Sequence, residues 1–131
     1  LYEAVKTAAP EAKFSVSLCE ASGPCLVRSE GNDEQMKKSA IENALAIGAG
    51  HIFVIVMKNA FPISALNQVK ACPEVARVFC ATANSLQVIV VETEQGKGVL
   101  GVVDGTSPMK AESEKDKEER RAFLRKIGYK L

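Results

Sequence analysis

Three groups of residues could do chemistry. His51 is the chain's single histidine, and it follows Gly48-Ala49-Gly50 at the head of the apolar run Ile52–Met57. An imidazole with one unprotonated ring nitrogen accepts a proton or attacks phosphorus near neutral pH. The glycines before it let a ligand or a neighbouring backbone come close. A lone histidine at a strand start also serves as a hydrogen-bonded core group, and position alone favours that blander role.

The second group lies at strand ends. Glu20 closes the alternating segment Phe14–Cys19, and Glu92 closes the apolar segment Leu86–Val91. Ligands of α/β sheets gather at the carboxyl ends of strands. Glu20, Thr82 and Asn84 could converge there, where amide and hydroxyl groups suit a purine edge or ribose hydroxyls. The alternative is that Asn84 serves its own turn and Glu20 is simply solvated. Asn43, on the apolar face of an expected helix, reads equally well as a core amide or a ligand contact.

The third group is Glu92–Gly101, with a literal G-x-G-x-x-G at Gly96, Gly98 and Gly101. A dinucleotide fingerprint must follow a strand and open a helix. Here the glycines lead into another strand, which rules that fold out. As a glycine-rich hairpin turn, the segment around Gln95 and Gly96 could still offer backbone N–H groups to a ligand. Arg28, Lys58, Arg77 and Lys97 are available to neutralise phosphate, and the sequence does not choose among them.

Other chemistries lack their residues. Cys19, Cys25, Cys72 and Cys80 form no C-x-x-C pair, and one histidine cannot complete an ordinary zinc site. Free thiols are expected, with Cys19–Cys25 the only near pair. No P-loop, no Ser-His-Asp order and no acidic cluster for magnesium stands out, so a conventional ATP-dependent kinase site is not visible. A net charge of +1 and the lack of tryptophan argue against a nucleic-acid surface or a membrane patch. The longest apolar run is far short of the roughly 18–20 residues that span a bilayer. A cytoplasmic location is therefore expected. Leu1–Val5 reads as the middle of an amphipathic helix without an initiator Met, so a segment upstream is expected.

The elements that must position these groups follow from periodicity. Phe14, Val16 and Leu18 alternate with Ser15, Ser17 and Cys19 as in a half-buried strand. Cys25–Arg28 is a short return strand after Gly23-Pro24. Asn32 and Gln35 resemble a capping box that starts a helix near Asp33, with Met36, Ala40, Asn43, Ala44 and Ile47 on one face and Gly48 as the stop. The stretch His51–Lys58 reads as a central strand covered on both sides. A helix over Ile63–Ala71 follows Pro62 and ends at Pro73. Val75–Ala81 and Leu86–Glu92 read as an antiparallel pair joined by Ala83-Asn84-Ser85, and Val99–Val103 as the final strand. Lys110–Lys126 is a charged, solvated helix with an Asp116–Arg120 pair and a docking seam at Phe123, Leu124 and Ile127. The two inner helices suit parallel crossovers and the late strands suit hairpins. The expected fold is a single α/β domain over residues 1–131, with a mixed sheet flanked by helices.

Several long runs together resemble one family. CEASG at Cys19–Gly23, NALAIGAGHIFVI at Asn43–Ile55, FCATAN at Phe79–Asn84, ETEQGKGVLGVVDG at Glu92–Gly105 and FLRKIGYKL at Phe123–Leu131 are similar, in order, to the adenosine-specific kinases. The resemblance covers the chain from end to end. It implies a small α/β protein that binds adenosine or AMP, assembles as a homotrimer and carries phosphate on a histidine, which is His51 in GAGH. With the reading of the strand ends and the glycine-rich turn above, the expected substrate-binding set is Glu20, Asn43, Thr82, Asn84, Glu92, Gln95 and Gly96. Members carry about thirty more residues ahead of the position of Leu1. The resemblance names no cofactor, and it leaves the phosphoryl donor and any magnesium ion at the phosphate unassigned. A sensor of adenosine or AMP that does no chemistry is the alternative function.

Overall fold

The computed structural model describes residues 1–128, so the last three residues of the Phe123–Leu131 motif lie outside the described residues. In chain order the elements are α1 (Tyr2–Ala8), β1 (Lys13–Cys19), β2 (Val27–Gly31), α2 (Glu34–Ile47), β3 (Phe53–Lys58), a 3₁₀ turn (Pro62–Ser64), α3 (Leu66–Lys70), β4 (Leu86–Glu92), β5 (Lys97–Asp104) and α4 (Glu114–Lys126). The α/β class and the flanking helices are as expected. The strand pairing is not.

The central strand is β1, in a sheet of order β2-β1-β3. It pairs antiparallel with both neighbours, with Ser17 opposite Ser29 on β2 and Val16 opposite Ile55 on β3. One face of β1 turns Phe14 and Val16 into a core made with Val5 and Ala9 near α1 and Ala65 and Val69 near α3. The ring of Tyr2 lies 5.1 Å from that of Phe14. The other face carries Ser15 and Ser17, both fully buried, and Cys19. These small side chains meet Ala40 and Ala44 of α2, which are also fully buried. Their polar atoms are satisfied. Ser15 donates to the Glu30 carbonyl at 3.0 Å, Ser17 donates to the Ser29 hydroxyl at 3.0 Å, and Cys19 donates to the Ala44 carbonyl at 3.6 Å. Alternation therefore predicted a half-buried strand, and β1 is buried on both faces because its polar positions are small and bonded.

The strand expected at the centre, β3, lies instead at the sheet edge and is half-buried along most of its length. A continuous apolar run marks cover on both faces, but it does not mark pairing on both edges.

The expected parallel crossovers are corrected in a specific way. Helix α2 links β2 to β3, which run the same way, but β1 lies between them and opposes both. This is a split β-α-β unit. The five-residue α3 leads to no parallel partner, because β4 pairs with β5 in a separate antiparallel sheet. The mixed sheet is thus two small antiparallel sheets. One isolated parallel bridge, Ala49 to Lys97, joins the hairpin to the rest.

Local chemistry explains the remaining differences. Asp33 rather than Asn32 caps α2, accepting from the Met36 N–H at 3.1 Å. Asn32 instead clasps the start of β1: it accepts from the Phe14 N–H and donates to the Ala12 carbonyl, both at 2.8 Å. Residues 75–81 form no strand. Arg77 stacks over the Phe79 ring there, 4.5 Å from its centroid. The link Ala83–Ser85 therefore joins an irregular segment to β4, and the true hairpin partner of β4 is β5. On α4, Ser113 and Asp116 form a capping box. Arg120 pairs with Glu112 at 3.0 Å and Lys110 with Asp116 at 3.0 Å, in place of the expected Asp116–Arg120 pair. Phe123 and Ile127 are exposed and α4 buries none of its described residues, so its docking seam is uncovered in the single chain.

Candidate functional site

His51 stands where α2 hands over to β3. Gly48 ends α2 in the left-handed region at φ 63°, with its N–H on the Ala44 carbonyl. Gly50 passes against Ala21: a Cβ on Gly50 would come within 2.8 Å of the Ala21 Cβ. His51 itself has φ 55°, an uncommon conformation for a residue with a side chain. Its N–H donates to the Cys19 carbonyl at 2.9 Å, and the Cys19 N–H donates back to the Ile52 carbonyl at 2.9 Å. The backbone is therefore pinned to the end of β1. The residue is exposed, and among the described residues its ring makes no side-chain hydrogen bond. The expectation of a buried, bonded core histidine does not hold. What stands here is a solvent-facing imidazole on an over-determined, strained backbone, which is a common condition at functional positions.

The glycine-rich hairpin reaches this point. Thr93 and Gly96 close the turn through reciprocal backbone bonds of 2.8 and 3.2 Å, and the Thr93 hydroxyl donates to the Gly96 carbonyl. Gln95 and Gly96 both donate their N–H groups to the Thr93 hydroxyl, at 3.3 and 3.4 Å. Those two donors are thus occupied within the turn. Gly98 and Gly101 lie inside β5, as expected for a hairpin and not for a dinucleotide loop. Glu92 and Lys97 are opposite each other at the turn end of the ladder. Lys97 forms the bridge to Ala49, two residues before His51.

Glu20 lies on the other side of His51, beside Gly50. Its carboxylate is already engaged. It accepts from the Leu26 N–H at 2.9 Å and from Arg28 Nε at 2.7 Å. The Leu26 N–H, then the Arg28 guanidinium, hold this carboxyl below its usual range. Glu20 staples the loop 20–28 and is a poor proton acceptor.

Thr82 and Asn84 belong to a different cluster. Thr82 donates to Asp104 Oδ1 at 2.7 Å, Asn84 Nδ2 donates to the same oxygen at 3.1 Å, and the Asn84 N–H donates to the Thr82 hydroxyl at 3.0 Å. The Thr82 hydroxyl, then the Asn84 amide, lower the Asp104 carboxyl, with the Cys80 thiol beside them. Burial, then the Asp104 charge, push that thiol up. Asp104 pairs with Leu86, whereas Lys97 pairs with Glu92. The two ends of the hairpin are about 20 Å apart at a rise of about 3.4 Å per residue. Within one chain, then, His51, Glu20, Glu92, Gln95 and Gly96 gather at one end, and Thr82 and Asn84 at the other.

Asn43 joins neither cluster. It is exposed on α2 and donates to the Ser39 carbonyl at 2.8 Å. Asp104 escaped the sequence reading because it lies just past the strand expected over Val99–Val103, whereas β5 runs on to Asp104. The clue was its place at the end of a strand beside a Thr-x-Asn segment. All four cysteines are free thiols, with Cys19 buried and its thiol raised by burial. Among the described residues no group of three His, Cys, Asp or Glu side chains is placed to share a metal ion. No described helix is long and apolar enough to cross a membrane. Two shallow depressions, one lined by Ala8, Glu11, Asn59 and Phe61 and the other by Leu66, Lys70, Val78 and Cys80, do not include His51.

A family model described as adenosine specific kinase matches residues 1–130. The crystal structure of the PH1918 protein from Pyrococcus horikoshii OT3 superposes with a TM-score of 0.93 at 49% identity, over 98% of this chain and 79% of that one. Among curated proteins nothing matches the chain.

Proposed function

Since the chain belongs to the adenosine-specific kinase family, we propose that it binds adenosine and AMP and moves a phosphoryl group between them and a donor through His51. The observation that carries this reading is the exposed His51 ring, held on a left-handed backbone by the Cys19 carbonyl. A ring nitrogen attacks the terminal phosphorus of a phosphoanhydride donor, and the anhydride P–O bond breaks with its electron pair leaving on the donor. The ribose 5′-oxygen of adenosine then attacks the phosphorus. The N–P bond breaks, its electron pair returns to the ring, and the hydroxyl proton passes to a carboxylate. Glu92 is the better candidate acceptor, since Glu20 is bonded to Leu26 and Arg28.

We assign Gln95 and Gly96 to the nucleoside at His51 by the same reading. Thr82 and Asn84 lie about 20 Å away at the other end of the hairpin, so we assign them to a nucleoside bound at a neighbouring copy, with Asn43 at its periphery. The cytoplasm is the proposed location. The homotrimer is the proposed assembly, with the β4–β5 hairpin as the contact between copies. Leu86, Ile89, Val90, Val91, Leu100 and Val103 are all exposed on it, and exposed apolar surface on that scale marks interaction sites.

The test combines calorimetry with phosphate transfer. Adenosine and AMP should bind to the wild-type chain, and labelled phosphate from ATP should appear on the protein and then on AMP. His51→Ala should lose phosphate incorporation by at least 100-fold while still binding adenosine. Undiminished AMP synthesis by that variant would sink the phosphohistidine route, and ligand binding without any AMP synthesis by the wild-type chain would favour the reading as an adenosine or AMP sensor.

A further inference from the structure

Four cations were candidates for phosphate, and their surroundings separate them. Arg28 is bonded to Glu20 at 2.7 Å. Lys58 lies at the far end of β3, opposite Lys13. Arg77 stacks on Phe79 in the irregular segment. Lys97 alone is carried to the Gly48–His51 loop, by the parallel bridge to Ala49. From Ala49 to the His51 Cα the chain spans at most about 7 Å.

The side chain of Lys97 lies over Gly48. A Cβ on Gly48 would sit 3.3 Å from Lys97 Cδ and 3.9 Å from its Nζ. Gly48 has no Cβ, so the lysine stem can lie flat on the end of α2. Lys97 forms no ion pair among the described residues, although Glu92 stands opposite it on the ladder. Its ammonium therefore lies beside Gly48, on the loop that carries His51, with no ion-pair partner among the described residues. An ammonium in that condition suits a phosphomonoester dianion, as a point charge with three donors.

We propose that Lys97 contacts the 5′-phosphate of AMP bound at His51. The assignment rests on the adenosine and AMP reading above. The competing role for this lysine is structural: α2 has no basic residue in its last turn, and a cation there offsets the negative end of the helix. The two roles differ in what they act on. A helix-end cation affects stability and both ligands alike, whereas a phosphate contact separates AMP from adenosine.

The experiment is calorimetry of adenosine and AMP on the wild-type chain, Lys97→Met and Lys97→Arg, each at low and high salt. Lys97→Met should weaken AMP by 10-fold or more and leave adenosine within 2-fold. The salt dependence of AMP affinity should shrink in that variant, and Lys97→Arg should recover most of the AMP affinity. Melting temperatures of the three proteins identify any loss that comes from unfolding. Equal weakening of both ligands, or AMP affinity unchanged in Lys97→Met, overturns the proposal while the adenosine reading stands. Failure of the wild-type chain to bind either ligand overturns both.

Discussion

The three-stranded sheet and the β4–β5 hairpin are built from similar residues and end in opposite conditions. Phe14 on β1 is 0% exposed, while Leu100 on β5 is 69% exposed. On β1 even the serines are buried, because Ser29 and the Glu30 carbonyl satisfy them and the alanines of α2 cover them. On β4 the run Val88–Val91 has a ladder partner but little cover on its faces. The hairpin thus rests mainly on its ladder, with Val88, Val99 and Val102 only half-buried, whereas layered packing orders the sheet. His51 lies at the seam, where the Ala49–Lys97 bridge joins the two. The sheet supplies rigidity on one side and the hairpin supplies side chains on the other.

The largest effect that would break this comparison is on stability. Phe14→Ala removes a ring packed against Tyr2, Val5 and Val69. It should cost about 3–5 kcal/mol in urea unfolding, as ring deletions in cores do. Leu100→Ser should cost the single chain less than about 0.5 kcal/mol, the range of exposed positions, and should show instead in the sedimentation of any assembly. If both variants unfold at the same denaturant midpoint at low protein concentration, the hairpin is part of the chain's own core and the contrast is wrong.

A smaller effect sharpens the seam itself. Gly48→Ala forces a side chain into the left-handed region at φ 63° and into the path of the Lys97 stem. The conformational part should cost about 1–2 kcal/mol. The Lys97 stem must give by only a few tenths of an ångström, so AMP affinity should fall by less than in Lys97→Met, which calorimetry at a temperature well below melting can read. Ala substitution at Gly23, where a Cβ meets nothing within 4 Å, carries the same backbone penalty at φ 65° and serves as the control.

Much of this was legible in the residues. Helix α2, its glycine stop, the strands β1, β3, β4 and β5 and the charged α4 all follow from periodicity and caps. Pairing was less legible, because the order of elements does not say which strands become neighbours: β1 entered between β2 and β3 and changed the expected sheet. Burial was misread at Ser15 and Ser17, since a polar letter in an alternating strand looks solvent-facing until its partner on β2 is known. Val75–Ala81 has strand-like letters but no partner ladder, and propensity without pairing does not make a strand. At the site, GAGH pointed to His51, which the fold exposes on a left-handed backbone. Sequence could not say that Glu20 is tied up by Arg28, that Thr82 and Asn84 close on Asp104, or that Lys97 crosses to Gly48. Each of these depends on contacts between segments distant in the chain.

The smallest effect concerns the loop that borders His51 on the sheet side. Glu20 accepts from Leu26 and Arg28, and its carboxyl is lowered chiefly by the Leu26 N–H. A carboxyl with a lower pKa in the folded chain contributes stability above its unfolded value, and that contribution is lost as pH falls through the folded value. The loop 20–28 should therefore hold its order from neutral pH down to the ordinary carboxylate range near pH 4, and loosen below it. Hydrogen exchange at the Leu26 amide reads this locally, without requiring global unfolding. Its protection should drop on acidification in the wild-type chain, and in Glu20→Gln it should be weaker at neutral pH and nearly flat with pH. The hairpin turn offers the contrast within the same sample, because the Gly96 amide is bonded to the Thr93 carbonyl and hydroxyl, neither of which titrates there. If the Leu26 and Gly96 amides lose protection together on acidification, the carboxylate is not the staple, and the sheet side of the seam is no more firmly held than the hairpin side.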